Sequence, residues 1–314
     1  MERISESFVD QAGREQSVVP KVAQILREGK LGPSSWVRAS CLALKAGWAS
    51  SRDISFIRRG FWATTVALVA GLGTVFVFLA RETTAPRLMV AAGAQVVHAL
   101  VALAFVYAHL ALIRDRDEKL HDSFGIANAL TVLRLVYIPT LVSLIVLLPD
   151  SPGLATVTLV LYVLTAASDC LDGFLARTLH RTSDFGRMYD PICDILFNPA
   201  VVVALWVAGA LPWWLAALVV VRYAVALLGG VAAYVFRGPF RVEPTIVGKL
   251  TGFVLAVVAG FAALKLCMEP AWLSEGLMFG LYITVGVLAT ANTSYLLYLG
   301  VRYRSQYSKD DAIF

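Results

Sequence analysis

The chain has 314 residues, of which 58% are hydrophobic and only 16% charged. A soluble domain carries about 25% charged residues, so one soluble core does not account for this much apolar mass, whereas membrane insertion does. The formal net charge is +5, but the basic residues lie between apolar runs, as in membrane loops, which argues against nucleic-acid binding.

In chain order, residues 1–57 are polar and mixed in charge, with short apolar patches at 18–25 and 36–48. They read either as amphipathic helices on the membrane surface or as a plain cytoplasmic extension. The first long apolar run starts near Gly60, too late for a secretory signal peptide. Residues 60–80 and 88–113 carry no charge, and each is long enough to cross a bilayer as a helix. A polar stretch at 114–122 follows, and then 130–148 is apolar apart from Arg134.

Pro149, Asp150, Ser151 and Pro152 mark a turn. The run at 154–168 leads directly into Asp169. Residues 195–221 are uncharged but too long for one span, and Gly209-Ala210-Leu211-Pro212 is expected to divide them. The second half passes through Arg222 and ends near Phe236. Runs at 250–264 and 276–301 complete the set.

The expectation is an all-α integral membrane protein of eight spans. Its divisions are 1–57, an N-terminal segment; 58–113, two accessory helices; 114–303, a six-helix domain; and 304–314, a tail. Ten basic residues lie between Arg3 and Arg59, and the inner connections hold many more than the outer ones. This bias predicts both termini on the cytoplasmic side. The four cysteines have no paired spacing, so neither a disulfide framework nor a zinc site is indicated. His98 and His109 fall in the second span, away from other ligands, and read as packed or lipid-edge residues.

The informative segment is 168–194. Asp169 and Asp172 are three apart, and Asp190 and Asp194 four apart, so each pair shares one helical face. Gly173 and Ala176 extend the first face with little bulk, and Gly186 lies a turn before the second pair. The short connection at 178–182 predicts that the two helices pack side by side, antiparallel. Ser183 and Asp184 read as an N-cap and a first-turn acid, and Asp184 as a loop acid paired with Arg177, Arg181 or Arg187.

Four carboxylates near a membrane repel one another and resist desolvation, and divalent cations remove the conflict. Oxygen-only ligands suit Mg²⁺ or Mn²⁺, and two such ions could bind a diphosphate and stabilise a leaving phosphate.

Asp169, Asp172, Gly173, Ala176, Arg177, Gly186, Asp190 and Asp194 together read D-x-x-D-G-x-x-A-R-x8-G-x-x-x-D-x-x-x-D. At these positions the sequence resembles the CDP-alcohol phosphotransferase family. The likeness extends over about 122–301, with Asn128-Ala129-Leu130-Thr131, Arg134 and Pro139 similar to the opening of its first helix, and Gly248-Lys249 similar to a later signature.

The resemblance implies a six-helix catalytic core, a homodimer and a multi-pass location in a bacterial plasma membrane, with the site facing the cytoplasm. It implies that Asp169, Asp172, Asp190 and Asp194 hold two Mg²⁺ or Mn²⁺ ions and that Asp194 is the general base. It assigns Asn128, Thr131, Gly173, Ala176, Arg177, Ser183 and Gly186 to the CDP-alcohol. The implied reaction moves a phosphatidyl group from CDP-diacylglycerol to an alcohol and releases CMP.

Asp190-Pro191-Ile192-Cys193-Asp194 is similar to the form found in phosphatidylglycerophosphate and cardiolipin synthases, which points to glycerol 3-phosphate as acceptor, bound by Arg222 and Lys249. Ile195 and Leu250-Thr251 stand where those synthases have lysines. Inositol phosphate, phosphatidylglycerol, serine or another alcohol stay open. The blander alternatives are that Arg222 pairs with an aspartate, Lys249 is an ordinary positive-inside residue and Arg134 snorkels to the headgroups. Other function classes are a metal-ion transporter or an inactive membrane scaffold. The outer halves of the spans lack the polar path a transporter needs.

Overall fold

Each apolar run becomes one helix, because in hydrocarbon every backbone N–H and C=O has to be paired within its own segment. The computed structural model describes residues 54–114, 120–179, 182–237 and 246–310, with isolated positions 24–25, 28, 34–35, 38 and 41–42. The apolar patches expected at 18–25 and 36–48 lie almost wholly outside the described residues.

Among the described residues eight helices are long and apolar enough to cross a membrane. They are α1 (Ser55–Glu82), α2 (Ala85–Ala108), α3 (Ile126–Leu147), α4 (Ala155–Thr178), α5 (Asp184–Val207), α6 (Trp213–Arg237), α7 (Ile246–Met268) and α8 (Glu275–Asp310). Among the described residues there is no strand, only an isolated antiparallel bridge between Arg114 and Leu120.

The expected break between α5 and α6 falls at Gly209, whose φ of 78° suits a residue without a Cβ, and Pro212 follows just before α6 starts. Two boundaries differ from expectation. The second span is expected to reach residue 113, but α2 stops at Ala108 and a tight 3-10 turn, Leu110–Leu112, follows. The His109 ring turns back onto the Phe105 carbonyl at 2.7 Å, and the His109 N–H bonds Val106 rather than continuing the α ladder. At the other extreme, α8 runs unbroken to Asp310, beyond the apolar run that ends at Val301.

The most buried span is α3, which packs against α1, α2, α4 and α5. On the far side α6 and α7 both rest on α8, while α5 meets α6 and α4 meets α7. The expected pairing of α4 with α5 is corrected here. Each packs extensively on α3 and scarcely on the other. The connecting segment is short enough for direct packing, but α3, with apolar Leu135, Val136 and Leu141 and polar Thr131 and Arg134 among its buried residues, takes the space between them.

Helix α1 approaches this centre through two glycines. A Cβ on Gly60 would stand 2.8 Å from that of Phe124. One on Gly71 would strike the hydroxyl of Tyr137, which donates to the Leu68 carbonyl at 3.0 Å. At the end of the bundle remote from the aspartates, Ser151 donates to the Glu82 carbonyl (2.8 Å) and Arg87 pairs with Asp150 (2.7 Å).

Candidate active site

The last turns of α4 carry Asp169 and Asp172, and the first turns of α5 carry Asp190 and Asp194. Ser183 caps α5 by accepting from the Gly186 N–H at 3.1 Å, an arrangement that contributes about 1 kcal/mol to such a terminus. Asp184 sits in the first turn as expected and pairs with Arg187 (3.4 Å) and also with Arg114 (3.3 Å). The Asp184 N–H donates to the Arg114 carbonyl as well, so the segment ahead of α3 is tied to the start of α5.

The residue that joins the two aspartate pairs is Arg134 of α3. Its Nη1 donates to Asp169 Oδ1 and to Asp194 Oδ1, the latter at 3.1 Å. Arg134 is only 2% exposed, so it does not snorkel to the headgroups. The facing acids draw it inward, because a buried guanidinium gains more from two carboxylates than from leaving the bundle. Among the described residues its Nε and Nη2 have no partner.

Asp172 is buried and accepts from Thr131 Oγ1 at 2.9 Å. Asp190 lies within electrostatic range of Asp169, Asp172, Asp194 and Arg134. All four aspartates therefore converge, although α4 and α5 hardly touch.

The residues assigned to a nucleotide fall into two groups. Asn128, Ser183 and Gly186 are linked through Ser183 Oγ, which accepts from the Gly186 N–H and donates to Asn128 Oδ1 at 3.3 Å, and Thr131, one turn on from Asn128, holds Asp172. Gly173, Ala176 and Arg177 continue the aspartate face of α4. A Cβ on Gly173 would lie 3.2 Å from Arg177 Nη1, so the arginine folds back over the glycine. Cys193 is a buried packing residue whose thiol points to the Thr131 carbonyl at 3.7 Å.

Of the two acceptor candidates, Arg222 comes near the acids and Lys249 does not join them. Arg222 is buried, lies over the Tyr223 ring at 4.7 Å from its centroid, and reaches the Gly248 carbonyl at 3.5 Å. It forms no ion pair with an aspartate among the described residues, although it is within electrostatic range of Asp194. Its Nε and Nη1 are buried without partners among the described residues. Lys249 is exposed and enters no ion pair among the described residues.

Beneath Asp169 and Asp194 lies a cavity of about 80 Å³, walled by Tyr162, Thr165, Asn198, Tyr223 and Gly252 among others. These wall residues carry no charge and belong to no motif in the sequence. Tyr162 and Thr165 sit seven and four positions before Asp169 and so share its face, which was the available signal.

Four carboxylates against one guanidinium leave the site strongly anionic, and every donor is a hard oxygen. That donor set fits Mg²⁺ or Mn²⁺. Among the described residues no three acids or other ligand side chains are drawn to a single metal-binding point. Arg134 Nη1 contacts both Asp169 and Asp194.

Known proteins share this segment. The family model described as CDP-alcohol phosphatidyltransferase matches residues 124–291. A Mycobacterium tuberculosis protein named "Probable phosphatidylglycerophosphate synthase" is 33% identical over 144 residues, 45% of this chain and 67% of the relative. A Mycoplasma genitalium protein named CDP-diacylglycerol–glycerol-3-phosphate 3-phosphatidyltransferase is 30% identical over 174 residues, 50% of this chain and 73% of its own. A Streptomyces coelicolor protein named cardiolipin synthase (CMP-forming) is 36% identical over 107 residues, 33% of this chain and 48% of the relative. No solved structure matches the chain.

Proposed function

The chain belongs to the CDP-alcohol phosphatidyltransferase family, and we propose that it transfers the phosphatidyl group of CDP-diacylglycerol to glycerol 3-phosphate in phospholipid synthesis. The observation that carries this reading is the convergence of Asp169 and Asp194, from two different helices, on one buried guanidinium. A site so acidic at the end of apolar helices is suited to a diphosphate brought in with its counter-cations.

In this reading Asp169, Asp172, Asp190 and Asp194 hold two Mg²⁺ or Mn²⁺ ions, which when bound neutralise the diphosphate and the departing CMP. Asp194 accepts the proton of the acceptor hydroxyl. The hydroxyl oxygen bonds to the phosphorus that bears the diacylglycerol, and the bond from that phosphorus to the CMP oxygen breaks, its electron pair leaving with CMP. Asn128, Thr131, Gly173, Ala176, Arg177, Ser183 and Gly186 receive the nucleotide. The small residues on the α4 face leave it room, and Arg177 can swing off Gly173 towards a phosphate.

Arg222 supports an anionic acceptor, because its unpaired N–H groups suit a phosphate fork and it stands near Asp194. Lys249 is the weaker of the two acceptor assignments. The acceptor also follows the names of the M. tuberculosis and M. genitalium relatives. The reading includes residues 114–303 as the catalytic domain, a homodimer, a bacterial plasma membrane, and both termini and the site on its cytoplasmic face.

The test is CMP release by purified protein with CDP-diacylglycerol and a panel of acceptors, with the lipid product weighed by mass spectrometry. Release with glycerol 3-phosphate that stops on chelation and returns with Mg²⁺ or Mn²⁺ is the expected result. Release only with inositol phosphate, phosphatidylglycerol or serine would overturn the acceptor, and no release with any acceptor would overturn the reaction.

A further inference from the structure

Pro139 interrupts the hydrogen-bond ladder of α3 within the span. A proline has no N–H, so the carbonyl four residues earlier, that of Leu135, loses its helical partner. His98 of α2 supplies one, with Nε2 2.9 Å from Leu135 O. A carbonyl only accepts, so this nitrogen carries the proton.

One residue further on, Gln95 of α2 bonds the next pair of backbone groups. Its Nε2 donates to Val136 O at 2.9 Å, and its Oε1 accepts from Thr140 N (3.2 Å) and Thr140 Oγ1 (2.7 Å). Val136 O and Thr140 N are the i and i+4 groups that an unbroken helix joins directly. Gln95 is 3% exposed, so no water competes for these groups.

In a membrane an unpaired backbone group costs several kcal/mol, and a mid-span proline is tolerated where neighbours pair what it frees. Gln95 and His98 are three apart and therefore occupy one face of α2. The break lies inside the region that matches the family, residues 124–291, and its repair comes from a helix outside it.

What the break controls is the part of α3 that carries Asn128, Thr131 and Arg134. These are the side chains that hold Ser183, Asp172, Asp169 and Asp194. Arg134 is the residue just before Leu135. The backbone pairing at residues 135–140 therefore bears directly on where the guanidinium points.

We propose that Gln95 and His98 are positioning residues: α2 pairs the α3 backbone groups around Pro139, fixes the helix geometry there, and so keeps Arg134 and Thr131 on the aspartates. The effect on turnover rests on the function proposed above, while the hydrogen-bond repair does not.

The test uses the full chain in detergent and the variants Gln95→Leu, His98→Leu, Pro139→Ala and the His98→Leu/Pro139→Ala pair, with Tyr137→Phe as control. Melting temperature, Mn²⁺ affinity by electron paramagnetic resonance, and kcat and KM for CMP release are measured. Gln95→Leu and His98→Leu should lower kcat about tenfold to a hundredfold with donor KM little changed, as misplacement of a site does. Both should also shift Mn²⁺ affinity. Tyr137→Phe, which loses only the bond to Leu68, should lower melting temperature without lowering kcat. With Pro139→Ala in place, the restored N–H can pair with Leu135 O, so adding His98→Leu should no longer lower the melting temperature.

An equal melting loss from His98→Leu with and without Pro139→Ala would overturn the proposal. So would a fall in kcat that simply tracks melting temperature across all variants, Tyr137→Phe included. A wild-type chain that releases no CMP would remove the proposed reaction, and the melting cycle and Mn²⁺ affinities would still decide this inference.

Discussion

Arg134 Nη1 stands 3.1 Å from Asp194 Oδ1, and the same nitrogen donates to Asp169. One atom of α3 thus joins the acids of α4 to those of α5. A metal ion at these oxygens and the guanidinium draw on the same lone pairs. Replacing Arg134 by Met should lower the melting temperature of metal-free protein, by an amount equivalent to about 1–3 kcal/mol. This is less than for a wholly buried pair because both acids are nearly half exposed. Mn²⁺ should restore more stability to this variant than it adds to wild type, having no arginine to displace. Thermal melting with and without Mn²⁺ checks both, and an unchanged metal-free melting point would show that the acids do not need the clamp.

Asp194 is the acid assigned to proton transfer, and asparagine keeps its shape while losing its basicity. Asp194→Asn should lower kcat by about 10²–10⁴, the usual worth of a positioned base. Mn²⁺ binding should weaken but persist through Asp169, Asp172 and Asp190. Turnover and Mn²⁺ titration on one preparation separate the two roles. Turnover close to wild type would take the base assignment away from Asp194.

The eight helices were legible because hydropathy and length determine a span almost alone in a bilayer, and Gly209 and Pro212 marked the one ambiguous division. The aspartate faces followed from i,i+3 and i,i+4 spacing, and the Ser183 cap from residue type. What spacing within a helix cannot report is which helix a third element separates. The short 178–182 link suggested that α4 and α5 touch, but α3 lies between them, and the contact that joins the acids runs from Arg134 over long sequence distances. The same holds for Gln95 and His98. Each looks like a stray polar residue in a span until the carbonyls of Leu135 and Val136 are seen opposite them.

His109 ends α2 outside the spanning segment, with its ring against Phe105 and Tyr189 and a nitrogen on the Phe105 carbonyl. Burial pushes its pKa below the ordinary 6.5, opposed in part by that hydrogen bond. The folded chain therefore prefers the neutral ring, and protonation favours the unfolded chain. The contribution is whole above about pH 6.5 and is lost as the pH falls below that value. Melting temperature should decline on acidification through this window in wild type and decline less in His109→Phe. Equal slopes for the two proteins between about pH 7.5 and pH 5.5 would show that His109 does not contribute to acid sensitivity.

Arg222 presents the opposite balance, a buried guanidinium whose Nε and Nη1 have no partner among the described residues. An unsatisfied buried charge destabilises its own fold, by more than its stacking on Tyr223 returns. Arg222→Met should therefore raise the melting temperature. If the arginine receives the phosphate of the acceptor, the same change should raise the KM for glycerol 3-phosphate about tenfold to a hundredfold, the loss of one or two charged hydrogen bonds. The KM for CDP-diacylglycerol should hold. Arg222→Lys keeps the charge without the fork and should recover only part of the acceptor affinity. Melting curves and two-substrate kinetics on the three proteins check this. A stabilised variant with unaltered acceptor KM would mean that the guanidinium serves something other than the acceptor.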